Sequence, residues 1–268
     1  MTRQMQWGWL WLISLVLWLM WSSPTQAGEL ADRLAQFPDW QTKPAVQAAK
    51  GDLAYPDWFA GEWLATTTLV DLVAPIPDLT TPGFEGNRQY LNQPVPFQAR
   101  FVEARSLYPS NPSILSMPSV LPQARPPIVS DRAFNGLSLA KAYLGNESVV
   151  SVRVDPTNPN RQITRLKDNL QFISTIAARA TEAPTPNDFL TTEVFLQEFR
   201  GAPQLYFNQV ETTTAYHRNV GSDPAIAADQ VTAIYLSPQD PNFFKAGDRP
   251  VALYRYRMEF SPLPQGKP

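Results

Sequence analysis

The 268-residue chain contains no cysteine and a single histidine. Without cysteine there are no disulfides, no thiol nucleophile, no thiolate zinc site and no cysteine-held iron–sulfur cluster. One histidine, His217, cannot supply a multi-histidine metal set, and any Ser–His–Asp scheme has to run through it. Charge of either sign is also sparse. The 22 Lys and Arg are set against 24 Asp and Glu, a formal net charge of −2, with none of the basic excess that nucleic acid demands. There is no Gly-rich phosphate loop, no internal repeat and no βαβ rhythm. Proline, by contrast, is abundant. Its 27 copies are about twice the usual share, which argues against a helical protein and for strands joined by stiff loops.

The longest apolar run is N-terminal. Arg3 is followed by the uncharged stretch Trp7–Trp21, then by Ser22-Ser23-Pro24-Thr25-Gln26-Ala27. A basic start, an apolar middle and a small-residue end make a secretory signal over residues 1–27, with Ala27 at the cleavage position. The run is shorter than the roughly 20 residues needed to span a bilayer as a helix. The other reading is an uncleaved N-terminal anchor. Either way the remaining chain is expected to work outside the cytoplasm.

The exported part reads as a short helix at 29–37 and a linker, together residues 28–57. A single β-barrel domain over 58–262 and a tail at 263–268 complete it. Strands are expected at 59–73, 97–103, 148–154, 161–166, 170–180, 192–200, 205–217, 228–236 and 250–260, separated by Pro, Gly and Asn turns. Between the second and third strands an insertion, 105–146, holds a Pro-rich flap (105–130) and a helix at 133–145. Asp131 is the expected N-cap of that helix, and Gly145 follows its C-terminus. A meander of this size removes its edges by closing into a barrel. In the last strand Ala252, Tyr254, Tyr256, Met258 and Phe260 share one face, assigned to the interior. In strand 205–217 neither face is cleanly apolar, as expected for an interior spotted with polar groups.

The first strand opens with Phe59-Ala60-Gly61-Glu62-Trp63. This resembles the G-x-W signature of lipocalins and other calycins. The resemblance implies an antiparallel calycin-like barrel whose end is closed by Trp63, with Arg255 or Arg257 from the last strand packed across the indole. Trp58, Tyr254, Tyr256 and Phe260 then line or close the lumen. Four segments are similar to an uncharacterised family of cyanobacterial and chloroplast thylakoid-lumen proteins: Tyr55–Trp63, Arg132–Gly136, Asp229–Tyr235 and Arg249–Arg257. That similarity implies a periplasmic or thylakoid-lumen location near membranes, and no activity.

Catalytic patterns are weak. His217 reads as an exposed strand-end residue. Gly136-Leu137-Ser138-Leu139-Ala140 lacks the last Gly and the preceding strand of a nucleophile elbow, so Ser138 reads as helical surface. Asp155, Thr157, Asn158 and Asn160 have the composition of a calcium loop but read better as a hairpin turn. Nothing brings any two of Glu193, Glu198 and Glu211 together. No metal or cofactor is expected. Three readings follow: an exported binder of an apolar small molecule such as a lipid, pigment or isoprenoid; a lumenal accessory factor with a filled barrel and an unknown protein partner; or a calycin-type enzyme on an apolar substrate. The candidate site residues are Trp58, Trp63, Tyr254, Arg255, Tyr256 and Arg257.

Overall fold

A computed structural model describes residues 28–107, 125–201 and 205–263. The expected signal, most of the Pro-rich flap and most of the tail lie outside these residues. Among the described residues eleven strands run in chain order: β1 (Gln47–Ala48), β2 (Gly61–Val73), β3 (Pro94–Glu103), β4 (Ile128–Ser130), β5 (Val149–Asp155), β6 (Asn158–Leu166), β7 (Gln171–Glu182), β8 (Asp188–Arg200), β9 (Tyr206–Arg218), β10 (Ile226–Leu236) and β11 (Ala252–Pro262). The helices are α1 (Glu29–Ala35), α2 (Ala104–Leu107), α3 (Arg132–Leu144) and α4 (Phe243–Ala246). All nine expected strands form. The short β1 and β4 are additional, each too brief to show alternation.

The sheet is antiparallel, in the order β4-β3-β2-β11-β10-β9-β8-β7-β6-β5, with β1 paired to β7. It curls strongly: Phe97 and Phe101 of β3 share one cluster with Phe189 of β8, strands far apart along the ladder. The fold is therefore a mainly β half-barrel. Its two end strands, β4 and β5, do not pair with one another.

Helix α3 fills that seam, packing on β3, β5 and β6. The cap is as expected: Asp131 accepts from the Phe134 amide at 3.1 Å, and Gly145 follows the helix with a φ of 83°. Beyond the three residues that β4 pairs, the edge of β3 is satisfied by side chains of α3. Asn135 Oδ1 accepts from the Arg100 amide (2.7 Å), Asn135 Nδ2 donates to the Arg100 carbonyl (3.1 Å), and Ser138 Oγ accepts from the Gln98 amide (2.8 Å). Residues 135 and 138 share one helical face, so a single helix substitutes for the missing strand. Gly136 lets α3 approach β6 closely: a Cβ there would stand 2.7 Å from Gln162 Nε2 and displace that side chain.

A strap made of α1 and residues 36–46 covers the outer face. Leu34 and Trp40 bury Val231, Ala233, Tyr235 and Leu253. The fully buried Glu211 carboxylate receives Arg33 Nε (2.5 Å) and Arg33 NH2 (2.7 Å), the Tyr235 hydroxyl (2.7 Å) and the Thr213 hydroxyl (2.9 Å). Arg33 also lies over the Trp40 ring, 4.0 Å from its centroid.

Candidate functional site: a two-chambered lumen

Strand parity decides what faces inward. On β9 the even-numbered residues from Tyr206 to Tyr216 point into the curl. The register sets Glu193 opposite Thr212, and Thr212 opposite Thr232. On β11 the inward set is Tyr254, Tyr256, Met258 and Phe260, as the alternation predicted.

One end of the lumen is filled. Phe59 is fully buried and touches Tyr55, Trp58, Phe101 and Tyr216 at ring-centroid distances of 4.9, 4.4, 4.8 and 5.1 Å. Trp63 lies in the same cluster and donates its indole N–H to the Phe59 carbonyl at 2.8 Å. Burial pushes the Tyr216 phenol up to about 12. These contacts plug this end of the barrel with aromatic rings.

The other end is open. A cleft of about 370 Å³ is lined by Phe199, Tyr206, Val210, Ile234, Tyr254 and Tyr256, with Asn208 and Thr232 in its wall. The 74–91 loop reaches over it: Asn87 donates to the Tyr254 hydroxyl (3.2 Å), and Thr81 shares a hydrogen bond with the Tyr206 hydroxyl (3.1 Å). Burial holds the phenols of Tyr254 and Tyr256 above their ordinary range, so both stay protonated near neutrality. Asn208 is 5% exposed, and its Oδ1 is buried without a hydrogen-bond partner. An unpaired buried acceptor costs about 1–3 kcal/mol.

Deeper along β8 lies a second chamber of about 220 Å³. Glu193 and Phe195 face it, whereas the next inward residues, Gln197 and Phe199, face the cleft. The guanidinium of Arg179 stands 3.1 Å from Glu193 Oε1 as an ion pair, and Arg132 and Asp52 also line the space. Burial raises the Glu193 carboxyl above the usual range, against the opposing pull of Arg179 and Arg132. A larger groove of about 680 Å³ runs outside, between the strap and β7, among the polar residues Glu29, Lys50, Asp52, Arg179 and Glu182. It lacks the aromatic lining of the cleft.

The predicted site residues divide into three groups. Tyr254 and Tyr256 line the open cleft. Trp58 and Trp63 belong to the filled end. Arg255 and Arg257 are not brought to Trp63. The register opposes Trp63 with Pro262, which puts the odd-numbered residues of β11 on the outer face. There Arg255 pairs with Asp229 at 2.6 Å and lies over Phe37, and Arg257 stands 3.7 Å from Glu259. A strand of period two cannot turn both its tyrosines and its arginines inward. The expected cation–indole seal is replaced by the Phe59–Trp63 contact.

Among the weak patterns, His217 is exposed and bonds Asp188 at 2.6 Å. Ser138 serves the β3 edge. Asp155 and Asn158 each cap a turn amide, Thr157 N at 2.9 Å and Asn160 N at 3.1 Å. Glu193 faces inward, but Glu211 lies under the strap and Glu198 pairs with Arg200. Among the described residues no group of three His, Cys, Asp or Glu is placed to hold a metal. The sequence alone does not mark Asn208, Arg132 and Arg179 as site residues. Asn208 sits on the inward parity of β9 between Tyr206 and Val210, which was the available signal.

Fold and site together define an antiparallel half-barrel with a plugged end, an aromatic cleft and an ionic inner chamber. The chain belongs to the family described as Domain of unknown function (DUF6816), whose family model matches residues 47–264. That span begins after α1 and contains both chambers. No curated protein and no solved structure matches the chain.

Proposed function

We propose that this protein binds an apolar small molecule, such as a lipid fragment, pigment or isoprenoid, in the lumen of its half-barrel. The bound molecule carries one hydrogen-bond donor. The observation that carries the reading is the unpaired Asn208 Oδ1 in the wall of an aromatic cleft. Small-molecule sites combine apolar and aromatic walls with few convergent polar groups, and about 370 Å³ lies within their size range of ~300–1,000 Å³. A hydroxyl or N–H on the ligand satisfies Asn208, and the rings supply contact area at low entropic cost. Export through residues 1–27, to a periplasm or thylakoid lumen, is part of the same proposal. It is supported by the apolar Trp7–Trp21 run and by the similarity of the four segments described above.

The test is fluorescence titration with N-phenyl-1-naphthylamine, an apolar probe with a single N–H donor. Saturable one-to-one binding is expected, and Asn208→Leu should weaken it by about fivefold to tenfold. Val210→Trp, which fills the cleft, should abolish it. Absence of saturable binding, or binding indifferent to both substitutions, overturns the proposal.

A further inference from the structure

The chamber beside Glu193 poses a different problem from the cleft. Arg179 is fixed by two bonds, NH1 to the Gly51 carbonyl (2.9 Å) and NH2 to Asn160 Oδ1 (3.0 Å). Its Nε–H is buried with no hydrogen-bond partner, and so is Glu193 Oε1. Arg179 NH2 stands 3.1 Å from that same Oε1 as an ion pair that is not aligned as a hydrogen bond, so the Nε–H donor and the Oε1 acceptor lie side by side at the same chamber. Buried polar atoms are almost always satisfied. A donor and an acceptor left together call for a group offering the reverse pair.

Charge narrows the class. The chamber is lined by two cations, Arg132 and Arg179, and two carboxylates, Glu193 and Asp52. In this balanced setting an anion is repelled by Glu193 and a cation by Arg179, and either must also shed its hydration. A neutral ligand avoids both costs. The chamber also offers apolar lining from Tyr55, Phe97, Leu139, Ile176 and Phe195.

We propose that the Glu193–Arg179 chamber is a second binding site, for a small neutral molecule bearing a primary carboxamide or urea group on an apolar stem. The carbonyl oxygen accepts from Arg179 Nε–H. The syn N–H donates to Glu193 Oε1. The stem lies against Phe97, Ile176 and Phe195. This site is separate from the Asn208 cleft and stands whether or not the cleft binds an apolar ligand.

The experiment is amide NMR titration of the purified protein with benzamide, using benzoate, benzylammonium and N,N-dimethylbenzamide as controls. Benzamide should give saturable shifts at β7 and β8 residues around the chamber, and the three controls at least tenfold weaker effects. Glu193→Gln makes the chamber net cationic. It should invert the preference, so that benzoate binds about tenfold better than benzamide, a reversal that a purely structural role for Glu193 does not produce. Ser174→Leu fills the chamber from β7 and should abolish the shifts while the thermal midpoint confirms folding. A high-resolution structure soaked in benzamide that shows only water between Arg179 Nε and Glu193 Oε1 overturns the proposal. So does benzoate binding equal to benzamide in the parent, or an unchanged preference in Glu193→Gln.

Discussion

The same residue type does opposite work on the two faces of this sheet. Glu211 is buried on the outer face with four hydrogen bonds from Arg33, Tyr235 and Thr213. Such a satisfied ionic cluster fixes the strap in one register, whatever its net energy. Glu193 is half-buried on the inner face beside Arg179, and desolvation raises its carboxyl above the ordinary value of 4.5. Raised binding of a proton in the folded state means that stability falls as pH climbs from the unfolded value through the folded one. Removing the carboxyl removes that fall. In Glu193→Gln the thermal midpoint relative to the parent should therefore grow more positive from about pH 4 to about pH 7, measured by calorimetry across that range. The subtraction cancels the opposite contribution of Asp188, whose carboxyl is held low by His217 and Thr185. A constant or declining difference contradicts the assignment.

At the scale of elements, α3 is the least conventional part. A half-barrel with two free edges is prone to pair with other chains, and here a 13-residue helix occupies the gap between them. It does so through side chains that imitate a strand, with Asn135 bonding both backbone groups of Arg100. Arg100 itself reaches back to Asp131 at 2.5 Å and stacks on Phe134, so cap, helix and strand edge form one unit. Asn135→Ala should cost about 1–3 kcal/mol through the unpaired Arg100 amide, while the Arg100 carbonyl keeps the Asp131 amide at 3.0 Å. Its signature is local: the Arg100 and Gln98 amides should lose hydrogen-exchange protection while those in the middle of β10 keep theirs. Uniform loss across the sheet would show that α3 contributes only general packing.

At the scale of the molecule, the architecture is a strap, a curled sheet and a lumen filled at one end. The family match begins at residue 47, whereas the strap that seals the outer face precedes it. Deleting residues 28–46 should leave the sheet formed, lower the thermal midpoint and create binding of an apolar dye, because Val231, Ala233 and Leu253 become exposed. An unchanged midpoint and no dye binding would show that the outer face needs no cover. The lumen is wetter than the lipocalin resemblance implied. Thr212, Thr214, Gln230 and Thr232 form a polar ladder along its floor, with contacts of 3.3–3.5 Å. This agrees with the mixed faces of strand 205–217, and it favours a ligand with a polar handle over a bare hydrocarbon.

Much of this was legible in the chain before it folded. Proline spacing and β-branched runs marked nine strands, because turn chemistry and strand propensity act locally. Asp131 and Gly145 marked the bounds of α3 for the same reason. The parity of β11 placed Tyr254 and Tyr256 in the lumen, since alternation is a property of the strand alone. The same parity excluded Arg255 and Arg257 from the interior, a conflict visible in the sequence but outweighed there by the family likeness. Only the tertiary structure could decide the rest. Register set Trp63 against Pro262. Curl brought Phe97 to Phe189, and the strap carried Arg33 to Glu211 across a sequence separation of 178 residues. The pairing of Arg179 with Glu193, and the isolation of Asn208, depend on which strands become neighbours and how tightly the sheet rolls. Those are outcomes of long-range packing, and no local pattern of residues encodes them.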